Sequence, residues 1–157
     1  MGNIEQGTAD FALRKYSTGE KVNRGANWFF WLAAFSVINS LVVYFVGIRN
    51  TPVAFALTQW LDGTTGALTA EGWNPPLRLT WLLIDILIAA AFAAFGYLAR
   101  HRHDVFFVIG IFLYAMDALL SLGLKEFYGF GFHVIGLFFL FKGLFASRHL
   151  RENATSL

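Results

Sequence analysis

Four residues in this chain combine reactive side chains with apolar surroundings: Asp85, Asp117, His133 and Asn39. Asp85 lies inside TWLLIDILIAAAFAAFGYLA, Asp117 inside VFFVIGIFLYAMDALLSLG and His133 inside the glycine- and phenylalanine-rich run 126–146. A carboxylate within such a run is costly to bury without a partner, so it marks a functional site or a polar core. Two carboxylates and an imidazole suit a divalent metal, with zinc, manganese or iron favoured over calcium. The same three groups suit proton handling or general acid–base work, including a small intramembrane hydrolase that activates water between the acids. On these readings Asp85, Asp117 and His133 are the candidate catalytic or metal-ligating residues. Asn39 and Tyr114 join them in the polar layer, and Gln59 and Asp62 close it from above if the outer segment dips into the membrane; on a segment lying flat they are the ordinary polar face of an interfacial helix. The bland alternative is equally concrete. An Asp85–His133 hydrogen bond, with Asn39 and Asp117 acting likewise, would only fix helix register.

Composition bounds the classes. The chain has 157 residues, 57% hydrophobic and 14% charged. Soluble domains average about 45–50% and about 25%. Eighteen per cent of residues are aromatic, and there is no cysteine. The latter excludes disulfides, thiol redox chemistry and iron–sulfur clusters. A haem bridging two helices needs a second mid-membrane histidine, and His101, His103 and His149 stand in basic turns or tails instead. No motif points to nucleic acid. The expected partners are the lipid bilayer, a further copy of the chain, or another membrane protein.

The elements follow from hydrophobic runs long enough to cross a bilayer. Four spans are expected, at about 27–48, 80–99, 105–123 and 126–146. They form an all-α, antiparallel four-helix membrane bundle with polar tails at 1–26 and 147–157. The outer loop 49–79 holds TPVAFALTQWLDG, too short to span but suited to a re-entrant or interfacial helix. Thr64–Pro76 reads as loop because of its Gly, Asn and Pro-Pro content.

Each span has one small or polar face at helical spacing. The faces are Ser36/Asn39/Val43/Gly47, Asp85/Ala89/Phe92/Gly96, Gly110/Tyr114/Asp117/Ser121 and Gly129/His133/Gly136/Gly143. Phe138, Phe139, Leu140 and Phe141 read as lipid-facing bulk. Nine of the twelve Lys and Arg fall in the N-terminal tail, the 100–103 turn and the C-terminal end. The positive-inside rule then puts both termini in the cytoplasm.

Depth sharpens the site. Asn39 lies 15 residues past Arg24, Asp85 15 before Arg100, Asp117 15 past Arg102 and His133 15 before Arg148. At 1.5 Å per residue all four lie roughly 22 Å from the cytoplasmic edge, in one layer.

The stretches GANWFFWLAAFSVINSL, ALTQWLD, YAMDALL and FHVIGLFFLFKGLF resemble a group of small bacterial four-span membrane proteins with no assigned function. The likeness covers most of residues 25–146. It implies a bacterial inner-membrane protein and carries over no catalytic residue. Two function classes therefore stand. One is a membrane protein with a metal, proton or hydrolytic site in its polar layer. The other is a non-enzymatic accessory or oligomer-forming subunit whose buried polar residues specify packing. A transporter ranks third, because no inverted repeat is visible.

Overall fold

A computed structural model describes residues 2–46 and 75–155. Every element is helical, and there is no strand among the described residues. Helix α1 is Gly2–Val46, α2 is Pro75–Arg100, α3 is Asp104–Gly123 and α4 is Phe127–Thr155. All four are long and apolar enough to cross a membrane, so the chain reads as a multi-pass membrane protein. The expected helix at 51–63, with Gln59 and Asp62, lies outside the described residues.

Three boundaries differ from expectation. Helix α1 runs without interruption across residue 26, and its packed face begins at Val22, with Gly25 and Ala26 also buried. Its 45 residues span about 68 Å at 1.5 Å each, well beyond a hydrocarbon core of about 30 Å. The polar N-terminal segment is therefore the helix's extension. Likewise α4 continues past Ala146. Ser147 there is buried and donates a hydrogen bond to Asp104 Oδ1 at the start of α3. At the other end, α2 begins on Pro75-Pro76, residues expected to be loop. Proline suits a first turn, where its missing N–H would have had no helical partner.

The helices meet in pairs: α1 with α2 and α4, α3 with α4, and α2 with α3. Phe29 is the centre of the core and is fully buried. Its ring sits 5.7 Å from Phe107, 6.2 Å from Phe92 and 6.4 Å from Phe95. Gly110 and Gly96 make room for it, since a Cβ at either would strike the Phe29 side chain. Between α1 and α4 the backbones themselves touch. A Cβ on Gly143 would stand 2.7 Å from the Gly25 Cα. Small residues that let backbones approach are how helices associate where lipid cancels the hydrophobic drive.

Outside the core the surface is apolar. Leu87, Phe112, Leu119, Val134 and Phe145 are all exposed. The Phe138–Phe141 run divides: Phe138 and Phe141 are exposed, but Leu140 is fully buried and Phe139 stacks on Trp28 at 4.6 Å. One run on a helix cannot face lipid on all sides, because successive residues are 100° apart.

Both short turns are closed in the same way. Arg102 and Lys125 have φ of 68° and 61°. The next amide reaches back to the carbonyl five residues earlier, His103 to Leu98 at 3.2 Å and Glu126 to Ser121 at 3.0 Å. This is a Schellman motif with a basic residue where glycine is usual. Arg100 docks the first turn onto α1. Its Nε donates to Asn27 Oδ1 at 3.0 Å, and its guanidinium lies 4.7 Å over the Phe30 ring. The α2–α3 turn thus lies beside the middle of α1.

Candidate functional site

Interior positions in these helices are occupied by polar groups. Ser36, Asn39, Ser40, Asp85, Asp117, Ser121 and His133 are all buried, as is Tyr114. The faces expected for α2, α3 and α4 are the buried ones, residue for residue. For α1, Ser36 and Asn39 are buried, whereas the Val43 side chain and Gly47 fall outside the described residues.

The histidine is held on both sides. His133 Nδ1 lies 2.7 Å from the Gly129 carbonyl one turn earlier, and Nε2 lies 2.7 Å from Asp117 Oδ2 on α3. A carbonyl oxygen only accepts, so Nδ1 must carry a proton. Nε2 and Oδ2 then share a second proton. Either an imidazolium donates to a carboxylate, or a carboxylic acid donates to a neutral imidazole. Both forms leave the pair with zero net charge. That avoids the large cost of an uncompensated ion in an apolar interior.

Tyr114 covers the pair. Its ring stacks on His133 with centroids 4.7 Å apart and planes 23° apart. Gly136 makes this possible, because a Cβ there would stand 2.7 Å from Tyr114 Cε1 and 2.9 Å from its hydroxyl oxygen.

Asp85 is engaged from a different helix. The Ser40 hydroxyl lies 2.9 Å from Asp85 Oδ2 and 3.0 Å from the Ser36 carbonyl. Serine has a single O–H, so it serves one of these acceptors at a time. The expected Asp85–His133 pair is therefore not the one formed. Both ring nitrogens of His133 are taken by Gly129 and Asp117. Ser40, outside the face expected for this helix, is the residue that bonds Asp85. Its position one turn after Ser36 was visible in the sequence, but its choice of partner was not. Asn39 is buried on the same side of α1, and its Oδ1 has no hydrogen-bond partner among the described residues.

The layer is not flat. Phe132, next to His133, packs edge-on against Phe35 of α1 at 5.8 Å. That is five residues before Ser40, about one and a half turns or 7 Å along the helix. The polar groups fill a short slab, with Asp85 nearer the far end. Among the described residues no group of three or more His, Asp or Glu is arranged to hold a metal ion. Asp85, Asp117 and His133 thus do not form the three-ligand centre that their residue types allowed. Asp117 and His133 come from facing turns of α3 and α4, and Asp85 is bonded across the α1–α2 contact.

Compared with known proteins, the chain matches no family model, no curated protein and no solved structure. The four helices identify the chain as far as a multi-pass membrane protein.

Proposed function

We propose that the protein is a non-enzymatic, multi-pass subunit of a bacterial inner membrane, with both termini cytoplasmic, whose buried polar residues set helix register. One observation carries this reading. Each buried acid is bonded by a group from a different helix, Ser40 to Asp85 and His133 to Asp117. Polar side chains that bridge helices select one packing over its slipped alternatives, because any slip leaves an acid stranded in an apolar interior. The exposed leucines and phenylalanines then face lipid or a membrane partner, including a second copy of the chain.

The test combines metal analysis with thermal unfolding of detergent-purified protein and its variants Asp85→Asn, Asp117→Asn and His133→Ala. The expected result is protein without stoichiometric metal, and variants that melt earlier with no bound species lost. A stoichiometric metal that the substitutions remove would overturn the packing role and restore the metal reading.

A second reading is favoured by one specific feature, the proton held between Nε2 of His133 and Asp117. A neutral carboxylate–imidazole pair inside a membrane is a natural stopping place for a moving proton. Asp117→Asn separates the two roles. Its amide can donate to Nε2 and keep the contact, yet it holds no exchangeable acid. Proton flux into proteoliposomes that Asp117→Asn abolishes, without a change in melting, would favour the relay.

A further inference from the structure

The geometry points to a binding site for an anionic phospholipid in the groove between α1 and α4, near the end where the α2–α3 turn lies. The groove encloses about 610 Å³, within the range of about 300–1,000 Å³ usual for small-ligand sites. Its lining divides by chemistry. Lys21, Arg24 and Lys142 supply three cations, and Trp28, Trp31 and Phe139 supply an aromatic wall.

The backbone contact between Gly25 and Gly143 explains why the cations converge. Arg24 and Lys142 each immediately precede one of these glycines, so the closest approach of the two helices also brings the charges to one level. Lys21 lies one turn before Arg24 on the same side of α1. Gathering three like charges is unfavourable unless an anion answers them. Among the described residues one carboxylate is placed to do so. Glu20 lies 3.6 Å from Arg24, and both side chains are well exposed, which makes a weak, screened pair. A phospholipid headgroup of net negative charge supplies the missing charge.

The apolar half identifies the source of the phosphate. Trp28 and Phe139 stack at 4.6 Å across the two helices, forming a flat wall that continues from the cations into the spans. Tryptophan at headgroup level with lysine and arginine beside it is the usual arrangement at a membrane–water boundary. A free phosphate has no use for that wall, whereas an acyl chain does. The occupant is therefore a diacyl lipid with an anionic headgroup, its phosphate among Lys21, Arg24 and Lys142 and one chain along Trp28 and Phe139. This site is separate from the Asp117–His133 layer and does not depend on its role.

Native mass spectrometry of the full-length protein in mild detergent tests the inference, titrated with phosphatidylglycerol or phosphatidylcholine of matched chains. Preferential retention of phosphatidylglycerol that declines as salt rises is expected. Neutralising the groove with Lys21→Gln, Arg24→Gln and Lys142→Gln should weaken that retention by about fivefold for each cation, and leave phosphatidylcholine unchanged. Circular dichroism verifies that the variant is folded. Equal retention of the two lipids, salt-independent retention by the unmodified protein, or a folded triple variant that retains phosphatidylglycerol as before would each overturn the site. Displacement of the lipid by an equal concentration of inorganic phosphate would overturn the lipid in favour of a small anion.

Discussion

Removing one member of the Asp117–His133 pair tests the reasoning most directly. The bond is 2.7 Å long and both side chains are more than nine-tenths buried. Hydrogen bonds to charged groups are worth about 1.5–3 kcal/mol in soluble proteins. Interhelical polar contacts in membranes average about 0.6 kcal/mol and reach about 1.7 kcal/mol, because a chain unfolded within lipid also finds partners. The short distance, the second bond to Gly129 and the Tyr114 stack place this pair toward the upper end. A double-mutant cycle with Asp117→Ala, His133→Ala and both together should therefore give a coupling of about 1–2 kcal/mol. His133→Ala by itself should cost more than the coupling, since it also removes the ring under Tyr114. Asp117→Asn should cost less than Asp117→Ala, because an amide N–H can donate to Nε2 while His133 keeps its Nδ1 proton. The assay is reversible unfolding in mixed micelles, followed by helical circular dichroism. A coupling indistinguishable from zero, or equal costs for Asp117→Asn and Asp117→Ala, would refute the shared-proton contact.

Three further outcomes follow from the same contacts. Ser40→Ala should lower stability by about 1 kcal/mol. Ser36→Ala should be close to neutral in the same unfolding assay, because the Ser36 hydroxyl has no hydrogen-bond partner among the described residues. Gly25→Ala, which drives a Cβ into the Gly143 backbone, should cost about 1–3 kcal/mol. Gly131→Ala, with nothing within 4 Å of the added carbon, should gain about 0.5–1 kcal/mol from helix propensity, and thermal melting ranks the two. Lys125→Gly should stabilise the protein by about 1 kcal/mol in the same melts, since a lysine at φ of 61° carries left-handed strain that glycine lacks.

The four long apolar helices and the buried faces of α2, α3 and α4 were legible in the sequence. Hydrophobic length and a period of 3.6 residues are local properties, and Asp85, Asp117, Tyr114 and His133 all lie on the faces the spacing assigned. The helical continuation of α1 toward Gly2 was less legible. Its residues are polar, and the burial of Val22, Gly25 and Ala26 depends on partners contributed by α2 and α4.

Partner choice was beyond the sequence. Counting residues from the basic edges places Asp85, Asp117 and His133 at one depth, and it leaves open which acid the imidazole meets. Helix pairing decides that. Helices α3 and α4 face each other through Tyr114, Asp117, His133 and Gly136, so His133 is taken by Asp117 before Asp85 can reach it. Asp85 is met by Ser40 because α2 packs on α1. The same holds for the groove: Lys21, Arg24 and Lys142 look like ordinary boundary cations until the Gly25–Gly143 contact gathers them. Residue types and their periodicity thus determined that this chain crosses a membrane with acids and a histidine inside it. Only the approach of one backbone to another, controlled by where glycines leave room, decided which of those groups share a proton and which share a charge.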